Sequence, residues 1–189
     1  MSDPAFTVFD MSDTTREVPP HIRLEAWSDG DLGLLRRQNA PEMTAHVGGT
    51  ESDEKVLSRH DRYKAMSARP ATEGRMFKVV LDGTGETVGS VGYWPRIWQG
   101  EAVYETGYGI LPEFQGRGLA VAALLAVVEE ARAAGGRCRL HAYPSVDHTA
   151  SNATCRKAGF EWAGEVEFEY PPGTRIRSND WRMDLGAGG

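Results

Sequence analysis

The segment Ile110-Leu-Pro-Glu-Phe-Gln115-Gly116-Arg117-Gly118-Leu119-Ala120 carries a strand into an apolar helix, and its reading decides the fold. A helix N-terminus presents free backbone N–H groups and the positive end of the peptide dipole. Gly116 and Gly118 remove side chains there, so an anion such as phosphate can approach the backbone closely. On this segment alone two readings stay open: an anion-binding turn, or a glycine-rich connection that serves packing. It is not a P-loop, because no Lys-Ser/Thr follows the second glycine, and a dinucleotide fold lacks its third glycine and repeated parallel units.

Downstream, residues 118–134 read as a helix with the unbroken apolar run Leu119 to Val128, so most of its circumference is expected to be buried. Gly135-Gly136 ends it as a left-handed cap. Residues 137–143 form the next strand, which is reached through a helix and should therefore lie parallel to the strand over 101–110. A second helix, 147–158, closes at Gly159, and the final hairpin runs 161–170, Pro171-Pro172-Gly173, then 174–185. Upstream, strands over 76–82, 86–94 and 101–110 follow one another by short turns, with a reversal at 95–100, which favours antiparallel neighbours. Before them stand a half-buried strand over 21–27, a short helix begun by Leu32, Leu34 and Leu35, and a helix over 51–68 with Val56, Leu57, His60 and Tyr63 on one face. The order predicts an α+β domain: a mixed, mostly antiparallel central sheet with one β-α-β crossover, flanked by helices.

The 189 residues suit one domain, 21–185, with flexible tails expected at 1–20 and 186–189. With 21 Lys+Arg against 27 Asp+Glu the formal charge is -6, which argues against a nucleic-acid surface. No apolar run reaches the roughly 18 to 20 residues of a membrane span. The acidic start shows no secretory signal, so no membrane partner and a cytoplasmic location are expected. Cys138 and Cys155 fit neither a disulfide framework nor a zinc spacing, and no metal is expected.

The glycine segment resembles the signature of the GNAT superfamily of acyl-CoA-dependent N-acetyltransferases, Gln/Arg-x-x-Gly-x-Gly/Ala, written here as Gln115-Gly116-Arg117-Gly118-Leu119-Ala120. A second segment, His148-Thr-Ala-Ser151-Asn152-Ala-Thr-Cys155-Arg156-Lys157-Ala158-Gly159-Phe160, is similar to the family's Asn-x-x-Ser…Lys-x-Gly-Phe helix. The element order over 21–185 is also the family's. The resemblance implies the acyl-CoA N-acyltransferase fold and acetyl-CoA as acetyl donor. It implies that Gln115, Gly116, Arg117, Gly118, Leu119 and Ala120 hold the pyrophosphate through backbone N–H groups, and that Ile110 and Leu111 pair with the pantetheine chain. Arg117, Arg156 and Lys157 are candidates for outer phosphate contacts, with solvated surface charge as the alternative.

Acetyl transfer to an amine needs a neutral nucleophile, a polarised carbonyl and a proton for the departing thiolate. Strand alternation puts Val103, Glu105, Gly107 and Gly109 on one face, and an acid beside two glycines is expected to face open space. Glu105 is the candidate base, and the run from Tyr104 to Tyr108 resembles the family segment in which a Glu serves that role. A Glu paired with an Arg of an adjoining strand is the alternative. The family's Tyr near the sulfur is Cys155 here, and no role is carried to it. Ser151 matches the Ser of the branch that acetylates ribosomal-protein N-termini and small amines, where it donates to the thiolate and lies at the cofactor. A hydroxyl bonded to its own backbone is the competing reading. His148 stands where the family has Asn and is read as a titrating group near the sulfur.

On the substrate side, His46 lies in the segment 39–50 where relatives place a covering loop, and Trp94 and Tyr143 are candidate contacts beside Glu105. Glu165, Glu167 and Glu169 form a stripe that either attracts a cation or pairs across the hairpin with Arg175 and Arg177. These features favour a small cationic amine, aminoglycoside-like or a polyamine. The alternatives are N-terminal acetylation of a ribosomal protein or peptide, and a non-catalytic acyl-CoA-binding module. The resemblance also leaves room for a homodimer joined through the final strands.

Overall fold

The computed structural model describes residues 21–169, 173 and 175–186; the tail expected at 1–20, all but Gly186 of the tail expected at 186–189, and most of the turn of the final hairpin lie outside the described residues. The first strand, β1 (Ile22–Ala26), leads through a short turn capped by Ser28 and Asp31 into α1 (Leu32–Gln38), then α2 (Pro41–Thr44) and α3 (Asp53–Ser67). The helix α3 starts where Ser52 accepts a hydrogen bond from the Lys55 N–H. An antiparallel run follows: β2 (Arg75–Leu81), β3 (Thr87–Trp98) and β4 (Glu101–Ile110). The helix α4 (Leu119–Ala134) then crosses to β5 (Arg139–Ala142), which lies parallel to β4. Last come α5 (Thr149–Lys157) and the hairpin of β6 (Glu161–Glu169) and β7 (Arg175–Asp184). The sheet has the order β1-β2-β3-β4-β5-β7-β6. It is the mixed sheet with one β-α-β crossover that the sequence predicts.

Two apolar clusters cover opposite faces of the sheet. On one, Leu119, Ala123, Leu124, Val127, Val128 and Ala131 of α4 pack against Val79, Val91, Tyr93, Tyr104 and Leu140. On the other, Trp27, Leu34, Leu35, Val56, Met76 and Leu111 form a smaller core under α1 and α3, with the Trp27 indole N–H donating to His60 Nδ1 at 3.0 Å. Expectation and structure part at three points. Leu125 of α4 and Leu57 of α3 face outward, since each helix touches the sheet with one side only. The predicted break at Pro95 is absent, and β3 continues to Trp98 before turning at Gln99-Gly100. At Pro95 the neighbouring β2 has already ended, at the pair Arg75↔Tyr93, so the missing N–H leaves no ladder bond unmade.

Close strand approach explains one glycine. A Cβ on Gly89 would lie 2.2 Å from the Gly109 carbonyl oxygen, on backbone that cannot swing away. Gly89→Ala is expected to lower stability by about 2 kcal/mol or more, or about 4–8 °C in Tm for a chain of this size. Gly83→Ala, with nothing within 4 Å of the added carbon, should stay within about 0.5 kcal/mol of the parent. Thermal denaturation compares the three, and equal melting temperatures would remove the steric explanation.

Candidate active site

Strands β4 and β5 pair only at Tyr104↔Leu140 and Glu105↔His141, then part. The Leu111 N–H donates to the Val88 oxygen on the β3 side. By antiparallel alternation the backbone groups of Thr106, Tyr108 and Ile110 therefore point the other way, into the gap beside β5. Of the two residues expected to pair with a pantetheine chain, Ile110 has that orientation. Leu111 does not, because its N–H is engaged with β3 and its side chain lies in the smaller core. The Ile110 carbonyl accepts from Gln115 Nε2 at 2.8 Å, so Gln115 folds back over the end of this open edge.

The turn after Ile110 is built for close approach. Gly116 and Gly118 take φ of 75° and 73°, the left-handed region, and a Cβ on Gly116 would meet nothing within 4 Å. Gly118 caps α4, whose first intrahelical bond is from the Ala122 N–H to the Gly118 oxygen. The N–H groups of Leu119 and Ala120 thus belong to the unpaired first turn, while the Leu119 side chain anchors in the core. Arg117 is exposed against the Phe114 ring, Arg156 against Trp181, and Lys157 is exposed.

Glu105 sits in the middle of the other face, buried, with Oε2 2.5 Å from Arg96 Nη1. Burial pushes its carboxyl above the ordinary range, and the Arg96 charge and the Trp94 indole pull it back part of the way. The open space expected in front of Gly107 and Gly109 is absent. The Trp94 ring tip lies 2.9 Å from where a Gly107 Cβ would stand, and the Gln38 amide 3.0 Å from that of Gly109. The glycines admit those two side chains, and Gln38 is fixed there by bonds to the Gly109 oxygen and from Ser90 Oγ.

Beyond Arg96 lie the rings of Phe168, Trp98 and Tyr143, with the guanidinium carbon 4.3, 5.5 and 5.5 Å from their centroids. Tyr143 is half-buried, its hydroxyl has no partner among the described residues, and burial together with Asp180 and Glu105 drives its phenol far above the ordinary value. Beside it His141 Nδ1 stands 2.7 Å from Asp180 Oδ1, and Trp98 Nε1–H donates to Asp180 Oδ2 at 3.0 Å. The Arg of an adjoining strand that the sequence reading allowed as a partner of Glu105 is Arg96 of β3, while His141 and Asp180 were passed over. Only the register brings the three together.

The helix α5 closes the gap from the α4 side. His148 is its N-cap, with Nδ1 accepting from the Ser151 N–H at 3.0 Å, and the Ser151 hydroxyl is 2.8 Å from the Tyr108 hydroxyl. Tyr108 reaches across from β4 to Ser151 and Cys155, and burial raises its phenol far above the ordinary value. Cys155 is buried and pushed up to about 11 by desolvation, which makes it a neutral thiol. His46, from a distant segment, packs its ring on His148 with centroids 4.2 Å apart and lies 3.4 Å from Asp147. The glutamate stripe is exposed and spent within the hairpin: Arg177 pairs with Glu165, Arg175 with Glu167, and Glu169 accepts from the Gly173 N–H. Of the two readings left open for it, the cross-strand pairs are the ones formed. Among the described residues no group of three or more His, Cys, Asp or Glu could hold a metal ion, and no helix is long and apolar enough to cross a membrane.

Residues 21–161 match the family model of the acetyltransferase (GNAT) domain. No curated protein matches the chain at a significant level. Solved structures with the same fold include RimL, a ribosomal L7/L12 alpha-N-protein acetyltransferase in complex with coenzyme A (19% identity, TM-score 0.68, covering 88% of this chain and 95% of that one). They also include spermidine N-acetyltransferase from Vibrio cholerae in complex with CoA and spermine (17%, TM-score 0.68, 87% and 95%). A third is aminoglycoside acetyltransferase AAC(6')-Ib in complex with coenzyme A (17%, TM-score 0.66, 87% and 95%).

Burial, and then the neighbouring His46, lower the pKa of His148 from the ordinary 6.5. Its contribution to stability is therefore complete above 6.5 and lost as pH falls through the depressed folded value. Protonating Nδ1 also removes the acceptor that caps α5. The Ser151 amide protection factor is expected to fall over that window, and His148→Asn, whose cap does not titrate, should flatten the dependence. A wild-type protection factor independent of pH would contradict the capping role.

Proposed function

The chain belongs to the GNAT acetyltransferase family and is an acyl-CoA-dependent N-acetyltransferase, and on that premise we propose that it moves acetyl from acetyl-CoA directly to the primary amine of a small cationic acceptor, an aminoglycoside or a polyamine by class. The observation that carries the acceptor class is the Arg96 guanidinium, held by Glu105 and by the faces of Trp98, Tyr143 and Phe168. A surface that already solvates one cation suits another, and the formal charge of -6 favours its approach.

Bound acetyl-CoA would supply the activated acetyl thioester. The residues present fit it: unpaired N–H groups at Leu119 and Ala120, open space at Gly116, and the free β4 edge at Ile110. In this reading Gln115, Gly116, Arg117, Gly118, Leu119 and Ala120 cradle the pyrophosphate, with Arg156 and Lys157 at its margin. Ile110 is assigned to the pantetheine arm through the backbone, and Leu111 holds that edge in place from the core. Glu105 accepts the proton of the acceptor ammonium, since a carboxylate raised by burial takes a proton more readily than an exposed one. The Ser151 hydroxyl, backed by the neutral Tyr108 phenol, donates toward the leaving sulfur. His148 fixes Ser151 through the cap and His46 pins the covering loop against it, while Trp94 and Tyr143 border the acceptor. A homodimer through the final strands is part of the reading, supported by the edge position of β6 and its exposed Trp162.

Free-thiol release with aminoglycosides, polyamines and short peptides side by side tests the acceptor class. Transfer to the small polycations is expected to exceed transfer to peptides. Transfer to peptides alone would make the protein an N-terminal acetyltransferase, and tight CoA binding with no transfer to any amine would make it a binding module. Glu105→Gln is expected to lower kcat by about 10²–10⁴-fold while acetyl-CoA affinity stays within about twofold. Near-normal turnover at saturating amine would exclude Glu105 as the base.

A further inference from the structure

We infer that His141, oriented by Asp180, is the proton acceptor that clears Glu105 after each transfer and hands the proton to water in the adjoining cavity. The inference rests on the acetyl-transfer reading above.

His141 is the register partner of Glu105 on the neighbouring strand, and Leu140 and Ala142 on either side of it turn into the opposite core. His141 and Glu105 thus share a face, on strands about 4.8 Å apart. Asp180 accepts from Trp98 Nε1–H through Oδ2, leaving Oδ1 to accept from His141. That bond places the ring proton on Nδ1 and leaves Nε2 a bare lone pair. His141 and Asp180 are 5% and 4% exposed, and Nε2 is buried without a partner among the described residues. A buried acceptor with nothing to accept from is costly to keep in a site that never uses it. The His141 residue lines a cavity of about 270 Å³, shared with Trp98, Glu101, Arg139, Asp180 and Arg182, which has room for several waters.

The surrounding charges say where the proton should come to rest. Facing His141 are Arg96 from β3, Glu101 and Glu105 from β4, Arg139 from β5 and the Tyr143 phenol just after it, and Asp180 and Arg182 from β7. Glu105 is paired with Arg96, Glu101 with Arg139, and Arg182 with Glu161. Among the described residues Asp180 has the His141 ring and the Trp98 indole as its side-chain partners, so an imidazolium formed at His141 has a counter-ion beside it. A proton left on Glu105 would strip Arg96 of its partner inside the protein. The transfers balance without any further reactant. The amine N–H bond breaks as an O–H forms on Glu105. That O–H breaks as Nε2–H forms, giving an imidazolium opposite Asp180. Cavity water then removes the proton and restores both bases.

The test uses the full chain and an amine accepted in the panel. His141→Gln is expected to lower kcat by about 10²-fold with acetyl-CoA affinity unchanged, and added imidazole should restore turnover to His141→Ala. Nitrogen NMR of the wild type, independent of any variant's folding, should show Nδ1 protonated and Nε2 bare. The opposite tautomer, unaltered kcat in His141→Gln, or no imidazole rescue would each overturn the role. A wild type that acetylates no amine would instead overturn the acetyl-transfer reading itself.

Discussion

The parting of β4 from β5 after two register pairs governs the rest of the molecule. Two parallel strands that separate leave the backbone of one edge without partners, which a buried sheet cannot tolerate unless something else occupies the gap. Three features of the chain meet that demand. β5 is only four residues long, and the segment after it turns toward β7, where Pro144 and Val146 exchange backbone bonds with Asn179 and Arg177. Tyr108 spans to α5, and Gln115 folds onto the Ile110 carbonyl. What remains open is a strip of amide groups running toward the unpaired first turn of α4. Such a strip matches a ligand that alternates amides and ends in phosphates, which is why the function proposed above joins the gap and the glycine turn in one site.

The opposite face obeys a different constraint, the cost of burying charge. α1 and α3 shield the sheet over β2 and β3, and the residues of β4, β5 and β7 beyond them form a buried polar row. Every ion in that row has an answering group: Glu105 has Arg96, and Asp180 has Trp98 and His141. A pair of this kind adds little net stability compared with apolar side chains of the same volume. Its place in the middle of a sheet suits the chemistry proposed above, and among the described residues the lone pair of His141 and the Tyr143 hydroxyl are left unmatched beside it.

Local signals made the element order, the crossover and the glycine turn legible in the sequence, because each depends on residues near one another in the chain. The run Leu119 to Val128, the Gly135-Gly136 stop and the alternation around Glu105 all survive in the structure. What escaped depends on register. Pro95 reads as a break until one sees that β2 has ended beside it. Gly107 and Gly109 read as empty space until Trp94 and Gln38 arrive from other elements. His141 and Asp180 are thirty-nine positions apart and meet only because β5 and β7 pair. For His141, a polar residue between the apolar Leu140 and Ala142 was the available signal. The hairpin shows the opposite case, since the in-phase Glu and Arg residues allowed its cross-strand pairs to be foreseen.

Those hairpin pairs also change what the overall charge implies for the acceptor. With Glu165 and Glu167 answered by Arg177 and Arg175, the net charge is not concentrated at the hairpin, and the buried carboxylate facing the site is Glu105. An ammonium reaching Glu105 must share it with Arg96, a like charge at close range. Like charges disfavour the protonated form of the newcomer, so the same arginine that weakens binding of the ammonium lowers the pKa of the amine. Only the neutral amine attacks a thioester. For the cationic acceptor proposed above, Arg96 therefore opposes the ground state and promotes the reactive one, and the rings of Trp98, Tyr143 and Phe168 moderate the repulsion by offering their negative faces to both cations.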